Sequence, residues 1–177
     1  MIYFTSDLHL GHENVIRLCH RPFGSIEEMN ETLIKNWNSK VKPTDTVYIL
    51  GDITFKMPVL EANKIIKRLN GKKHLIKGNH DKVYDENLFE SVSYYKELKY
   101  NGLFFCLMHY PLAEWNHYFR GSIHLHGHQH NSSIYNTTQK NNNLRKYDVG
   151  VDANNFYPIS IDEILEYFNI DCKPNGK

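Results

Sequence analysis

The chain has little cysteine, no long apolar run and almost no net charge. Its three cysteines, Cys19, Cys106 and Cys172, are scattered, odd in number and form no C-x-x-C pair. That pattern suits a reduced, cytoplasmic protein, with Cys106 serving as a small apolar residue inside a strand. No apolar stretch approaches the roughly 18 residues that a membrane helix needs. No basic-then-apolar leader precedes the first strand, so no signal peptide is expected. Lys and Arg number 21 against 20 Asp and Glu, a formal net charge of +1. This balance offers no global basic footprint for nucleic acid and no acidic excess that would favour disorder. Internal repeats, long linkers and breaks in composition are also missing. The 177 residues therefore read as one soluble domain spanning 1–177, long enough to bury a core.

What is abundant is histidine, at 11 residues, and its placement is uneven. The strand expected over 2–6 ends in Asp7-Leu8-His9, and the one over 46–50 in Gly51-Asp52. The run 74–77 leads into Gly78-Asn79-His80-Asp81, 103–108 into His109, and 122–126 into Gly127-His128-Gln129-His130. In layered α/β proteins ligands bind in the crevice at the carboxyl ends of strands, so five distant segments converge on one site. Residues two apart on an extended segment share a face, which lets Asp7 and His9 grip one ion. Crowding desolvated carboxylates and imidazoles together is costly unless their charge and hydrogen bonding are compensated. Metal ions would compensate them.

The remaining pattern supplies the frame. Gly11-His12-Glu13-Asn14 reads as a turn. Ser25-x-x-Glu28 is a capping box for a helix whose Ile26, Met29, Leu33 and Trp37 form an apolar face. Pro58 opens a second helix, whose Leu60, Ile65, Ile66 and Leu69 are apolar, and Gly71 just beyond it suits a C-terminal cap. Strands over 92–100 and 103–108 flank Asn101-Gly102, a strong hairpin signal. Residues 131–143 are polar and read as a solvent-facing loop, a candidate gate for the site. A strand over 147–151, a second capping box at Ser160-x-x-Glu163 with a helix to about Phe168, and a fraying tail from Asp171 complete the chain. Patterning alone gives an α/β class.

The ordered motifs D-x-H, G-D, G-N-H-D, H and G-H-x-H, from Asp7 to His130, resemble those of the calcineurin-like metallophosphoesterase superfamily. The stretch from Thr5 to Asn14 and the segment Val149-Gly150-Val151-Asp152-Ala153 are similar to its small bacterial and phage phosphoesterases. The resemblance implies an α/β fold built as a two-sheet β-sandwich flanked by helices, with metals at one end. It implies a hydrolase acting on phosphoesters through two divalent transition-metal ions, with Mn as the first expectation and Fe, Zn, Ni or Co as others. Asp7, His9 and His130 would hold one ion, Asn79, His109 and His128 the second, and Asp52 would bridge. His80 would be the catalytic histidine and Asp81 the partner that fixes its tautomer.

One departure bears on the substrate. Phosphoprotein phosphatases of the superfamily continue Gly-Asp with an arginine-bearing Asp-Arg-Gly segment, whereas here Gly51-Asp52 runs on to Ile53-Thr54-Phe55-Lys56. This favours a phosphodiesterase on nucleotide or nucleic-acid-derived substrates, with a phosphomonoesterase as the alternative. A non-catalytic partner-binding scaffold is the reading from another class. Arg120, Arg17 and Arg21 are candidates for phosphate recognition, since guanidinium matches phosphate with two parallel bonds. Trp115 either stacks on a nucleobase or closes a core edge. His12 either reaches the phosphate or holds its own turn. His126 is expected on the same face as His128, in a supporting or packing role. Oligomeric state is not legible.

Overall fold

The computed structural model describes residues 1–81 and 83–170; the tail from Asp171 lies outside them. The chain runs β1 (Ile2–Thr5), α1 (Glu13–Leu18), α2 (Ile26–Lys40), β2 (Thr46–Ile49), α3 (Val59–Lys67), β3 (Lys72–Ile76) and β4 (Ser91–Ser93). It continues with β5 (Tyr95–Tyr100), β6 (Leu103–Met108), β7 (Ile123–His126), α4 (Ser133–Asn141), β8 (Lys146–Asp148), β9 (Ile159–Ser160) and α5 (Ile161–Tyr167). One sheet has the order β4-β3-β2-β1-β9 and the other β5-β6-β7-β8. Both are mixed: β1 to β4 are parallel with β9 antiparallel to β1, and β6 to β8 are parallel with β5 antiparallel to β6. This is the expected α/β, two-sheet sandwich with helices on its flanks.

Period-two alternation explains why the first sheet is apolar on both sides. Phe4, Tyr48 and Ile76 turn toward the second sheet and meet Phe105, Leu107, Ile123 and Leu125. Val47, Ile49 and Leu75 turn the other way, onto Met29, Leu33 and Trp37 of α2 and Ile66 of α3. Trp37 is fully buried, and its indole N–H donates to the Asn70 carbonyl at 2.9 Å. Trp37→Ala is therefore expected to lower unfolding free energy by about 3–5 kcal/mol, read as a shift in the urea midpoint with unchanged slope.

Local signals hold at several joints. Asn101 and Gly102 have φ of 48° and 82°, the pair of positive values that a type I′ hairpin turn requires. Ser160 and Glu163 form the full reciprocal capping box. At α2 only half forms: Ser25 accepts from the Glu28 amide, while the Glu28 carboxylate takes the Gly24 N–H instead.

Several expectations are corrected. The turn after Gly11 is the short helix α1. Leu60 points outward at 77% exposure, and Ala62 and Ile66 carry the buried face of α3. Arg68 is the C-cap of α3, so Gly71, at φ 93°, serves the turn into β3 instead. The single strand over 92–100 is broken at Tyr94, because β4 joins the first sheet and β5 the second. The polar stretch 131–143 is not a loop but contains α4. That helix buries Asn136, whose amide exchanges hydrogen bonds with the backbone of Asp148 at 2.7 and 3.1 Å. It is anchored by amide pairing to β8, not by an apolar stripe, and a gating role for the segment has no support.

Candidate metal centre

Strands β1, β2, β3, β6 and β7 end side by side, and their following turns supply the site. Beyond β1 the chain keeps pace with the segment after β2: Asp7, His9 and Leu10 donate backbone N–H groups to the carbonyls of Gly51, Asp52 and Ile53. The turn from β7 joins through Gly127 N–H to His109 O at 3.0 Å. Gly51 has φ 93°, and a Cβ there would come within 2.6 Å of both the Gly78 nitrogen and His109 Nδ1. Only glycine lets these turns pack backbone against backbone.

Asp7, His9, Asp52, His128 and His130 all have positive φ, from 50° to 74°. Left-handed backbone is uncommon outside glycine and carries a cost, although Asp, Asn and His tolerate it best. Five such residues in one cluster are a local strain of the sort that collects at functional sites.

The ligand atoms converge as two overlapping groups. Those of Asp7, His9 and His130 lie within 4.8 Å of one another, and so do those of Asp7, Asp52 and His109. Asp52 Oδ2 stands between the two sides, 3.6 Å from His9 Nε2 and 3.5 Å from His109 Nε2. Asn79 Oδ1 is 3.0 Å from the same His109 nitrogen, and the His128 ring is edge-on to His109 at 5.0 Å.

The chemistry of these groups fits a cation. Asp7 Oδ1 and both ring nitrogens of His9 are buried without a hydrogen-bond partner, which is costly unless something binds them. His109 Nδ1 lies 2.7 Å from the Leu50 carbonyl. A carbonyl only accepts, so the proton sits on Nδ1, leaving the Nε2 lone pair to face the site. His130 Nδ1 is likewise held by Asp152 Oδ2 at 2.8 Å.

Burial pushes Asp7 up to about 6, against the pull of His109 and His130, and pushes Asp52 up as well. Burial, with the fields of His130 and Arg21, drives His9 down to about 2. Burial opposes charge on His130, yet its bonds to Asp152 and Cys19 raise it to about 10. A bound cation reverses this logic, letting both carboxylates ionise beside neutral imidazoles.

His80 sits at the rim. Its backbone N–H donates to Asp52 Oδ1 at 2.9 Å, and its exposed ring is edge-on to His9 at 5.4 Å and Phe55 at 4.9 Å. The expected Asp81–His80 ring bond is replaced. Asp81 accepts from the amides of Asp52, Ile53 and Gly78 and from the Tyr84 hydroxyl, at 2.8–3.0 Å. With both oxygens engaged there, Asp81 positions the Asp52 turn and does not steer the imidazole.

The outer candidates separate. Trp115 is buried, donates to the Ser122 carbonyl and packs on His124 and Tyr118, so it closes a core edge and is not open for stacking. Arg120 lines a different hollow, with Trp115, His117 and Phe119, from the one beside His80. Arg17 is exposed on α1. The His12 ring stacks on Phe55 at 3.7 Å, with its Nδ1 buried and unpartnered. His126 is fully buried and is not among the grouped ligand atoms. Its ring instead meets the Gly127 carbonyl and the Tyr135 hydroxyl.

Arg21 is no phosphate ligand. It is buried, pairs with both oxygens of Asp152 at 2.8 Å, and donates to the carbonyls of Asp7 and Leu8. Arg21 and Asp152 thus tie the Asp7 turn to His130, a role that sequence reasoning missed. The one signal was the Val149–Ala153 segment.

Two facing mixed sheets with helices outside, and carboxylates and histidines gathered at their strand ends, frame a candidate metal site. The chain belongs to the calcineurin-like phosphoesterase family, whose model matches residues 1–171. That family comprises phosphoester hydrolases that use divalent metals. The chain is 38% identical to the uncharacterized protein MJ1445 of Methanocaldococcus jannaschii over 166 residues, covering 93% of this chain and 89% of that one. It is 30% identical to the gene 66 protein of Mycobacterium phage L5, covering 94% and 93%. The crystal structure of the protein of unknown function AQ665 from Aquifex aeolicus superposes with a TM-score of 0.75 at 31% identity, covering 94% and 98%. Among the described residues no helix is long and apolar enough to cross a membrane.

Proposed function

We propose that residues 1–177 form one metallophosphoesterase domain that hydrolyses phosphodiesters of nucleotide or nucleic-acid origin at a dinuclear centre. The observation that carries this reading is the Asp52 carboxylate standing between His9 and His109, with Asp7 and His130 converging beside it. Asp7, His9 and His130 would hold one divalent ion and Asn79, His109 and His128 the other, with Asp52 shared between them. Mixed oxygen and imidazole donors suit a transition metal, manganese first. Two such ions supply Lewis-acid activation of water and charge stabilisation at the phosphoryl group.

The protein's own groups do the rest. The Leu50 carbonyl and the Asp152 carboxylate hold the Nδ1 protons of His109 and His130, which fixes the direction of each Nε2. Asp81, through three backbone amides, fixes the turn that presents Asp52. The exposed His80 imidazole is free to give a proton to the departing ester oxygen. No arginine lines the hollow beside His80 among the described residues. Gly51-Asp52 also runs on to Ile53-Thr54-Phe55-Lys56, without the arginine that phosphoprotein phosphatases carry after this motif, which favours a diester. The unpaired thiols of Cys19 and Cys106 agree with a reducing, cytoplasmic setting.

The test is hydrolysis of bis-p-nitrophenyl phosphate beside p-nitrophenyl phosphate by metal-stripped protein reloaded with Mn, Ni, Zn or Mg. Diester turnover that returns only with a transition metal is the expected result. Dominant monoester turnover would move the assignment to a phosphatase. Failure to bind metal at all would leave a non-catalytic scaffold.

A further inference from the structure

The hollow beside His80, of about 400 Å³, is lined by Phe55, Lys56, Asn79, His80 and Asp81. Its size is within the range of pockets that hold small ligands. Lys56 is the one lysine or arginine in that lining, and among the described residues no carboxylate lies within ion-pair distance of it. Its backbone has φ 49°, left-handed, where a glycine would sit with less strain. A long cationic side chain is thus kept at a strained turn on the rim of the site, a combination associated with function.

The ammonium is not loose. It lies over the Phe55 ring, 5.2 Å from the centroid, within the range of a cation–π attraction. The same ring stacks on His12 at 3.7 Å and stands edge-on to His80 at 4.9 Å and His9 at 6.2 Å. Phe55 is therefore a pillar that touches three histidines of the site and carries the Lys56 charge beside them. A charge held there lies on the rim of the site, carried by the ring that packs against His9 and His80. Lysine suits such a contact, because a point charge on a flexible stem binds a phosphate without demanding two parallel bonds.

We propose that Lys56 binds a second phosphate of the substrate, one adjacent to the scissile diester, and that Phe55 positions it. The inference rests on the phosphodiesterase reading and narrows it to nucleotide diesters carrying a further phosphate, as at the phosphorylated end of an oligonucleotide.

The test compares a thymidine dinucleotide with and without a terminal phosphate, in wild type, Lys56→Gln and Lys56→Arg. Wild type should favour the phosphorylated dinucleotide about tenfold in kcat/KM, carried by KM. Lys56→Gln should reduce that preference to about twofold or less, and Lys56→Arg should keep most of it. Binding is read separately by isothermal titration with phosphorothioate-linked versions that resist cleavage, and the same ratios are expected in affinity. An unchanged preference in Lys56→Gln, in both turnover and affinity, overturns the role of Lys56 and leaves the diesterase reading intact. Cleavage of neither dinucleotide, with an affinity preference that vanishes in Lys56→Gln, does the reverse.

Discussion

Asp52→Asn should lower diester turnover on the order of 10³-fold and strip metal from the protein together with it. His80→Ala should lower turnover by about 10²–10⁴-fold and leave metal content near that of wild type. The contrast follows from where the two side chains sit. Asp52 is almost fully buried, and one of its oxygens lies within 3.6 Å of two histidine nitrogens from different segments. Replacing that oxygen by an amide removes a charge from both halves of the cluster at once. His80 reaches the same carboxylate only through its backbone N–H, which alanine retains, while its ring is exposed at the rim. Metal content by atomic emission, measured beside kcat on the same preparations, separates the two roles. Equal loss of metal in both variants would make His80 a structural member of the centre.

The strand ends were legible for a physical reason. Each site strand ends in a buried apolar stretch that hands over to a turn rich in Asp, Asn and His, so the boundary between the two chemistries marks the site. The family resemblance assigned those residues to two ions, and the structure brings Asp7, His9 and His130 together as one group. What stayed hidden depends on the third dimension. Arg21 and Asp152 are 131 residues apart, and an isolated arginine in sequence reads as a surface group. Asp81 sits beside His80 in the chain, which suggested a bond between them. In the fold its carboxylate faces the amides of a different turn. The helix α4 was hidden because its one buried residue is an asparagine satisfied by the β8 backbone, so hydrophobic periodicity had nothing to report. The left-handed φ values of the cluster break the strict alternation of extended chain. His126, expected beside His128, has its ring held by the Gly127 carbonyl and the Tyr135 hydroxyl.

Gly127→Ala should be damaging out of proportion to the single methyl group it adds. Gly127 has no left-handed backbone to defend, so the effect isolates close packing. A Cβ built there would come within 2.6 Å of Ser6 Cβ and closer still to Ser6 Oγ and to Asp7 Oδ2. Neither neighbour can retreat cheaply. Ser6 Oγ donates to the Leu50 carbonyl at 2.7 Å, and Asp7 Oδ2 accepts the His128 N–H at 2.8 Å. The Asp7 turn is also held from the other side by Arg21, which donates to the Asp7 carbonyl. The added methyl must therefore either separate the β1 and β7 turns or rotate the Asp7 carboxylate away from His9 and His130. Overpacking of this kind costs about 1–3 kcal/mol in stability. A shift of about 1 Å in a ligand on this scale costs on the order of 10²-fold in turnover. The expected variant is folded, slightly less stable, deficient in metal and nearly inactive. Retention of full metal content and activity would mean that Asp7 is not a fixed member of the centre.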